Sequence, residues 1–304
     1  MKRRRRLASL LLFFLRRLVL RRRMPLIASF KVTHHCNLAC APCPFHRLPP
    51  SRKGHMDRDT ARKALTTLRG TGVPIVVFEG GEPLLWRDGD YTIRELMDYA
   101  RGLFPVVAVT TNGTQPLDVP ADRLWVSIDG LKETHDRLRS ASFDTVWSHI
   151  VSCGRPFMVH FTVNRINRRD IGPLLERLRE VRGFGGMTVQ FFYPYGGGEE
   201  DLTLSSFERG AVVEEVAALK ARGFPILNSQ GRLRAMVENT WKCRDDILVN
   251  VDPDGTVTEG CYARRRGRID CRACGFTPVA EASAAVALHP GSLRAGWSIF
   301  LAHR

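Results

Sequence analysis

The alternation of strand-like and helix-like segments is the feature that most restricts the fold of this chain. Segments rich in Val, Ile, Phe and Thr predict six strands, at 26–33, 73–79, 105–111, 123–128, 157–163 and 187–192. Amphipathic segments predict helices at 57–69, 91–103, 143–152, 170–182 and 205–222. This alternation implies parallel strands joined by right-handed crossovers. It predicts an α/β fold, a partial (β/α)6 TIM-like barrel, with a doubly wound open sheet as the alternative.

Polar residues follow each of the first five predicted strands. They lie at 34–43, 79–83, 111–113 and 127–130 and at Asn164. In a parallel barrel the carboxyl ends of the strands meet at one rim, where the chemistry of such folds is placed. The sequence therefore predicts that these five groups form one site.

The formal net charge of +15 is concentrated at the start of the chain. Residues 1–23 carry ten Lys and Arg and no acidic residue, which leaves about +5 for all other residues. We therefore expect no specific nucleic acid binding by the body of the protein.

The basic segment also contains an apolar run, LASLLLFFL at 7–15, which is too short to cross a bilayer. It predicts a helix on an anionic membrane surface, and hence a cytoplasmic, peripherally membrane-associated protein. Phosphate binding to RNA is one alternative. An upstream extension, with Met24 as the true start, is another. A cleaved signal peptide is disfavoured, because Arg16 and Arg17 follow where a small-residue cleavage site would stand.

Seven of the eight cysteines fall into two groups. The first group is Cys36-x3-Cys40-x2-Cys43. Three thiolates on one loop suit three irons of a [4Fe–4S] cluster and leave the fourth iron with an open position. Zinc is the alternative, with His34, His35 or His46 as the fourth ligand.

The second group is Cys243, Cys261, Cys271 and Cys274. Alternating apolar residues around Asp254-Gly255 predict a β-hairpin between the first two of them. Four thiolates without a gap predict a closed [4Fe–4S] cluster, with structural zinc as the alternative. The remaining cysteine, Cys153, is expected to be a small buried residue.

The cysteine loop after the first predicted strand resembles the signature of the radical S-adenosylmethionine (SAM) superfamily. GGEP at 80–83, TTNG at 110–113, SIDG at 127–130 and the segment ending in Arg139 are similar to its cofactor-binding motifs. The resemblance implies that Cys36, Cys40 and Cys43 hold the SAM-binding [4Fe–4S] cluster. It implies S-adenosyl-L-methionine contacts from Gly80, Gly81, Glu82, Thr111, Asn112, Ser127, Asp129, Arg139 and Asn164.

Two further expectations come from the resemblance. Pro42 stands where the family has a bulky residue against the adenine, so Phe45 or Phe30 is expected to make that contact. The second cysteine group resembles a twitch subdomain, a shortened SPASM domain with one auxiliary cluster. The implied organisation is a basic N-terminal segment at 1–23, a radical SAM partial barrel at 24–225, and a small twitch-like iron–sulfur subdomain with the tail at 226–304.

The implied function is reductive cleavage of SAM to a 5′-deoxyadenosyl radical that abstracts hydrogen from an unactivated C–H bond. A ferredoxin or flavodoxin would supply the electron, and a lipid or lipid-linked molecule is the favoured substrate. Tyr193 and Tyr195 are weak candidates for a substrate-side group. A peptide maturase is the alternative function, although the 25 residues before the first strand are too few for a winged-helix segment. A non-catalytic metal-binding regulatory protein is the second alternative.

Overall fold

The computed structural model describes residues 2–195, 198–265 and 270–302. These residues form a mixed α/β fold around one mostly parallel sheet. The strands are β1 (Ile27–Thr33), β2 (Ile75–Gly80), β3 (Arg87–Asp88), β4 (Tyr91–Thr92), β5 (Val106–Thr111), β6 (Arg123–Ser127), β7 (Phe157–Val163), β8 (Phe184–Phe191), β9 (Leu248–Val251) and β10 (Val257–Glu259).

Ten α-helices accompany the strands within the described ranges. They are α1 (Lys2–Phe14), α2 (Arg58–Gly70), α3 (Ile93–Leu103), α4 (Lys132–Leu138), α5 (Phe143–Ser152), α6 (Ile171–Leu178), α7 (Ser206–Ala221), α8 (Gln230–Val237), α9 (Thr277–Val286) and α10 (Pro290–Phe300). A π-helical turn, Leu15–Val19, continues α1. No helix among the described residues is both long and apolar enough to cross a membrane.

The main sheet has eight strands in the order β10-β9-β1-β2-β5-β6-β7-β8. All neighbouring pairs are parallel except β9 with β10. The six strands predicted from the sequence are therefore confirmed, and they lie side by side in chain order. The reversal of strand order that defines a doubly wound sheet does not occur among these six.

Local sequence explains where several helices begin. The side chain of Asp57 accepts a hydrogen bond from the backbone N–H of Thr60 and caps α2. Thr92 and Glu95 form a capping box at α3, and Ser205 and Glu208 form another at α7. These caps satisfy backbone N–H groups that the first helical turn leaves unpaired, so the predicted helix starts agree with the structure.

The two faces of the strands have different neighbours. Ala28, Phe30 and Val32 on β1 are completely buried and belong to the main core, together with apolar residues of α2 and α3. The alternate residues Ile27 and Ser29 face the other side of the sheet and line a large cavity. This alternation follows from the two-residue period of a strand. It gives the sheet one face against helices and one face toward a cavity.

The hairpin predicted around Asp254-Gly255 is present as β9 and β10. Gly255 has φ +81°, a conformation that glycine adopts without steric cost. β9 pairs with β1 in parallel, from Ile27 opposite Leu248 to Phe30 opposite Val251. The hairpin therefore extends the main sheet. The sequence did not predict this pairing, because β9 and β1 are more than 200 residues apart.

Several elements have no counterpart in the sequence-based prediction. They are the short β3–β4 hairpin and the helices α4, α8, α9 and α10. Helix α9 contains the run AEASAA. Because most of its residues are small, the run lacks the alternation of apolar and polar faces from which a helix is predicted. Phe13 on α1 is almost completely buried beside Val279 and Val286 of α9, so one side of the basic N-terminal helix packs on the body of the protein.

Candidate active site

The first cysteine group lies on the loop that follows β1. The N–H of Cys43 donates to the carbonyl oxygen of Cys40 at 3.0 Å, which closes a turn between the last two cysteines. The Cys36 sulfur accepts from the N–H of Leu38 at 3.5 Å and from the Asn112 side-chain amide at 3.6 Å. The loop is therefore tied both to itself and to the end of β5.

The electrostatic surroundings of these thiols disfavour their charged forms. Burial is the main cause that raises the pKa of Cys40 to about 12; the charge of Arg139 opposes this shift, and the neighbouring Cys43 and Cys36 contribute to it. Burial also raises the pKa of Cys36. Thiolates here need a compensating positive charge, which a bound iron–sulfur cluster would supply. The donor set of three grouped sulfurs fits such a cluster.

The two glycines after β2 allow the chain to pass close to the cysteine loop. Gly80 has φ +125°. A Cβ atom on Gly81 would lie 2.1 Å from the carbonyl oxygen of His35, so no larger residue fits. The N–H of Gly81 donates to the Thr33 carbonyl and the N–H of Glu82 donates to the His35 carbonyl, both at 2.8 Å. Glycine at these positions is thus required by the close approach of two strand ends.

Glu82 is completely buried and accepts three hydrogen bonds. Its carboxylate accepts from the N–H of Leu84 at 2.9 Å, the hydroxyl of Thr111 at 2.7 Å and the N–H of Asn112 at 2.6 Å. Burial raises the pKa of Glu82 to about 7 despite these donors. The contacts show that Glu82 joins the end of β2 to the end of β5.

Asn112 connects three parts of the site. Its side-chain amide donates to the Asn37 side chain at 3.0 Å in addition to the Cys36 sulfur. Its side-chain oxygen accepts from the N–H of Thr114 at 2.9 Å. The strand-end motif TTNG is therefore in direct contact with the cysteine loop.

Asp129 and Arg139 form a buried ion pair beside the cysteine loop. Arg139 Nε donates to Asp129 Oδ2 at 2.6 Å, and Asp129 Oδ1 accepts from the N–H of Thr162 at 2.8 Å. An Arg139 Nη atom lies 4.0 Å from the sulfur of Cys40. The chain of contacts runs from β7 through Asp129 and Arg139 to the first cysteine group. Ser127 is buried at the end of β6, two residues before Asp129.

His135 supports this ion pair as a neutral imidazole. Nδ1 accepts a hydrogen bond from the N–H of Asp129, and Nε2 pairs with the hydroxyl of Ser142. Burial lowers the pKa of His135 to about 4, with the charge of Arg139 acting in the same direction. The sequence motif contained this histidine but gave no sign of its contacts.

Asn164 makes only local contacts in the described part of the chain. Its side-chain oxygen accepts from the N–H groups of Ile166 and Asn167, and its amide donates to the Thr162 carbonyl. Asn167, which the sequence did not single out, donates to the carbonyl oxygens of both Asp129 and Thr162 at 3.0 Å. The TVNRIN motif thus places Asn167, rather than Asn164, against Asp129.

The second cysteine group is brought together by tertiary structure. Cys243, Cys261, Cys271 and Cys274 all line one small cavity of about 40 Å³. Burial raises the pKa of Cys243 to about 12, and the charges of Asp245, Cys274 and Cys261 add to this. Four sulfurs around one space are a suitable donor set for a closed cluster.

Arg209 holds the loop that carries two of these cysteines. It is buried on α7, and its guanidinium donates to the carbonyl oxygens of Ala273 at 2.8 Å and Cys274 at 3.3 Å. The same guanidinium lies over the ring of Phe191 at 4.9 Å. Sequence reasoning missed Arg209, because nothing in the α7 sequence distinguishes it from a surface arginine.

Tyr193 and Tyr195 line the cavity of the second cysteine group. The Tyr193 hydroxyl donates to the Asp270 carbonyl at 3.4 Å, and burial raises its pKa. These two residues therefore lie beside the auxiliary cysteines.

The sulfurs of neither group are arranged around one point as a single metal ion requires. Across residues 2–195, 198–265 and 270–302, no three His, Cys, Asp or Glu side chains are placed in that way. The structure by itself thus defines no single-ion site at either cysteine group.

Comparison with known proteins identifies the family. Residues 30–201 match the radical SAM superfamily, and the chain belongs to it. The enzymes of this superfamily use a [4Fe–4S] cluster and SAM. The match contains the first cysteine group and all the strand-end motifs described above, and it favours the enzyme over the non-catalytic alternative.

Three similar proteins illustrate the range of the superfamily. An Fe-coproporphyrin III synthase of Methanosarcina barkeri is 26% identical over 217 residues, which cover 66% of this chain and 53% of the relative. The subtilosin biosynthesis protein AlbA of Bacillus subtilis is 36% identical over 91 residues, 30% of this chain and 19% of AlbA. The structure of Streptococcus suis SuiB bound to SAM matches with a TM-score of 0.62 and 13% identity, covering 85% of this chain and 67% of SuiB. The chain thus spans about half the length of the first curated relative.

Proposed function

We propose that this protein cleaves SAM reductively at a [4Fe–4S] cluster held by Cys36, Cys40 and Cys43 and uses the resulting radical to abstract hydrogen from an unactivated C–H bond. The observation that carries the proposal is the buried connection from Asp129 through Arg139 to Cys40. It brings a fixed positive charge to the side of the cysteine loop. A carboxylate-bearing cofactor is recognised best by such a pre-oriented guanidinium.

When bound, the cluster and SAM supply the one-electron cleavage and the carbon radical. The residues of the chain bind, orient and enclose them. Arg139 uses Nε for Asp129, so its Nη groups would serve the cofactor carboxylate. Gly80, Gly81 and Glu82 would hold the methionyl amino group, and Thr111, Asn112 and Ser127 would line the rest of the cofactor. Glu82 already accepts three hydrogen bonds. We therefore propose that the amino group donates mainly to the backbone carbonyl oxygen of Gly81.

We further propose that the parallel strands curve into a partial (β/α)6 barrel. The sequential order of β1, β2, β5, β6, β7 and β8 supports this, because each strand adds to the same edge of the sheet. Enclosure of the carboxyl-end site by such curvature would exclude water from the radical chemistry. A low-potential donor, a ferredoxin or a flavodoxin, would provide the electron.

The second cysteine group is proposed to hold an auxiliary [4Fe–4S] cluster in a twitch-like subdomain within residues 226–304. Support comes from the four sulfurs that line one cavity and from the buried guanidinium of Arg209 behind the Cys271–Cys274 loop. We propose residues 24–225 as the radical SAM domain, to which β9 adds a further strand.

SAM cleavage tests the central proposal. The full chain is reconstituted anaerobically with iron and sulfide, reduced with dithionite and supplied with SAM, and 5′-deoxyadenosine is measured. Arg139→Gln should weaken SAM binding about a hundredfold, since it removes one partner of a charge-assisted contact. Arg137→Gln is the matched control, because Arg137 is exposed on the same helix and should have no effect. A reconstituted protein that carries both clusters and releases no 5′-deoxyadenosine would overturn the proposal.

Two other substrate classes follow from the relatives. A tetrapyrrole is suggested by the similarity to the Fe-coproporphyrin III synthase, which is 26% identical over two thirds of this chain. A peptide is suggested by the similarity to AlbA, a bacteriocin biosynthesis protein, over 91 residues. Incubation of the reduced protein with a coproporphyrin or with a candidate peptide, followed by mass spectrometry, would test each class. A lipid or lipid-linked substrate is the third class, and it is the one we favour.

The N-terminal helix is proposed to contact an anionic membrane surface. One side of α1 is packed on the protein, but Leu12, Leu15, Leu18, Val19 and Leu20 are exposed next to the arginines of residues 16–23. Each basic residue near an anionic surface contributes roughly 1 kcal/mol. Co-sedimentation with anionic vesicles of the full chain and of a chain that starts at Met24 tests this proposal. Equal binding by the two chains would refute it.

A further inference from the structure

A cavity of about 580 Å³ lies on the face of the main sheet that the helices α2 to α6 do not cover. Seven strands contribute residues to its wall, namely β1, β2, β5, β6, β7, β8 and β9. Residues of α1, α9 and α10 complete the wall. The volume is within the range of small-molecule sites, about 300–1,000 Å³.

The strand residues that line the cavity become polar toward the carboxyl ends of the strands. On β2 the cavity-lining residues are Ile75, then Val77, then Glu79. Glu79 immediately precedes Gly80 and Gly81, and Thr110, another lining residue, immediately precedes Thr111. The polar end of the cavity therefore adjoins the proposed SAM site, and the apolar end lies at the amino ends of the strands.

His160 gives the polar end a neutral ring. Burial lowers the pKa of His160 to about 4, and its Nδ1 pairs with the hydroxyl of Thr188 at 3.2 Å. Gln190, two residues after Thr188 on β8, also lines the cavity. This end therefore carries side chains that can form hydrogen bonds with the polar terminus of a ligand. Among them, Glu79 also accepts a hydrogen bond from the hydroxyl of Ser29.

The apolar end is formed by helices and opens to solvent between them. Three large apolar residues line the cavity and are also exposed: Leu11 of α1 by 59%, Leu288 by 54% and Trp297 of α10 by 43%. Exposed apolar residues at the mouth of an apolar cavity are typical of a site for a hydrophobic ligand. Two ion pairs, Arg6 with Asp122 and Arg17 with Asp246 at 2.5 Å, hold α1 against the body.

From this geometry we infer that the cavity binds a single hydrocarbon chain, acyl or isoprenoid, of an amphipathic substrate. The polar end of that substrate lies near His160 and Glu79, next to the SAM site. The chain extends between α1, α9 and α10 and ends at the mouth formed by Leu11, Leu288 and Trp297. This inference rests on the proposed SAM chemistry and specifies its substrate class.

The occupant is argued from three features together. Most of the wall at the helical end is apolar, and the polar side chains there are paired within the protein. Thr277 donates to the carbonyl oxygen of Val189, and Glu281 accepts from the hydroxyl of Ser292. A charged or peptide-like ligand would therefore lose its hydration there without hydrogen-bond partners.

Glu79, His160 and Gln190 form the polar end beside the SAM motifs, which matches a molecule with one polar terminus. The mouth lies on the same helix as the basic residues of the N-terminal segment, where an anionic bilayer would present its chains.

Binding of a chain-length series to the full-length protein tests the inference independently of SAM cleavage. The probe is cis-parinaric acid, whose fluorescence rises in an apolar site, and the competitors are saturated fatty acids of increasing length and geranylgeraniol. Affinity should rise about three- to fourfold per added methylene, as expected for a fully buried chain. Stronger competition by geranylgeraniol would identify an isoprenoid, and stronger competition by palmitate an acyl chain.

Two variant pairs locate the site. Ala285→Phe places a ring in the cavity from α9 and should weaken binding at least tenfold, whereas Ala287→Phe, at an exposed position after the same helix, should leave it unchanged. Leu11→Asp at the mouth should weaken binding, and Leu12→Asp, exposed on α1 but not in the cavity wall, should not. Both Leu positions are exposed, so these variants remain folded, as thermal melting would verify.

The outcomes separate this inference from the proposed function. Affinity that does not depend on chain length, or variant pairs with equal effects, would overturn the inference. Displacement of the probe by coproporphyrin but not by palmitate or geranylgeraniol would also overturn it. Chain binding without any SAM cleavage in the reconstituted protein would contradict the proposed function instead.

Discussion

The two cysteine groups are built in different ways. Cys36, Cys40 and Cys43 lie within eight residues on one loop, and the ends of β5 and of α4 contact them through Asn112 and Arg139. Cys243, Cys261 and the Cys271–Cys274 loop come from three separate segments and line one small cavity. The first group needs only a loop of suitable spacing, whereas the second exists only after the chain has folded. Assembly of the second group is therefore more sensitive to changes in packing than assembly of the first.

The surroundings of the two groups differ as well. Around the first group are a charged pair, a neutral histidine and backbone N–H groups at strand ends, which suit a polar cofactor. Around the second are Tyr193, Tyr195, Trp241 and Phe276. A polar site with three cysteines and an aromatic site with four are the arrangements expected of a reactive centre and a supporting centre, respectively. The following predictions test this contrast, from the largest expected effect to the smallest.

Loss of one cysteine from each group should have different consequences for SAM cleavage. Cys40→Ala should remove about four irons and reduce 5′-deoxyadenosine formation to background, because the reactive cluster is lost. Cys271→Ala should remove a similar amount of iron while SAM cleavage persists without substrate turnover. Iron analysis and product quantification on the same samples measure both. If Cys271→Ala abolished both clusters, the two groups would not be independent.

The buried ion pair should be the most stabilising contact of the first site. Asp129→Asn leaves the Arg139 guanidinium buried without its counter-charge and should lower the free energy of unfolding by about 3–5 kcal/mol. Asn retains an acceptor for the N–H of Thr162, so the loss reports the charge. The control is Asp144→Asn, which breaks an exposed pair with Lys132 and should cost less than about 1 kcal/mol. Anaerobic urea denaturation measures both, and equal costs would contradict a buried pair.

Arg209 should affect only the second site. Arg209→Met keeps the aliphatic packing over Phe191 but removes the donors to Ala273 and Cys274, at a cost of about 1.5–3 kcal/mol. We expect lower iron occupancy of the second group and unchanged SAM cleavage. Arg234→Met, at an exposed pair with Glu214, should change neither quantity. A fall in SAM cleavage with Arg209→Met would show that the two sites are coupled.

The pH dependence of stability should carry a contribution from the first site. The pKa of His135 is lowered from its ordinary value to about 4, so the unfolded chain binds a proton more tightly than the folded protein. This contribution is complete above pH 6.5 and is lost as the pH falls toward 4. Between pH 7 and pH 5 it should remove about 2 kcal/mol of stability.

A substitution isolates that contribution. His135→Asn keeps an acceptor for the N–H of Asp129 and should make the loss of stability between pH 7 and pH 5 about 2 kcal/mol smaller than in the unaltered protein. Urea unfolding followed by tryptophan fluorescence at the two pH values provides the measurement. An unchanged pH dependence with His135→Asn would contradict a lowered pKa of His135 in the folded protein.

Sequence alone determined the features that depend on local pattern. Segments rich in Val, Ile, Phe and Thr predicted all six central strands, and the predicted helices at 57–69 and 205–222 begin at the caps that the structure shows. The gathering of polar residues at the strand ends was also predictable, because parallel strands share one carboxyl edge. The first cysteine group and the hairpin at Asp254-Gly255 followed from spacing and turn chemistry.

Only the tertiary structure decided the contacts between distant segments. It placed β9 beside β1, turned one side of α1 onto α9, and brought Arg209 to the second cysteine loop. It also showed that Asn167 reaches Asp129 while Asn164 does not, and it created the cavity behind the strands. The physical reason is that burial of complementary apolar surfaces stabilises the fold wherever those surfaces lie along the chain. Local sequence encodes each face, and the choice of partner is made by the packing of the whole molecule.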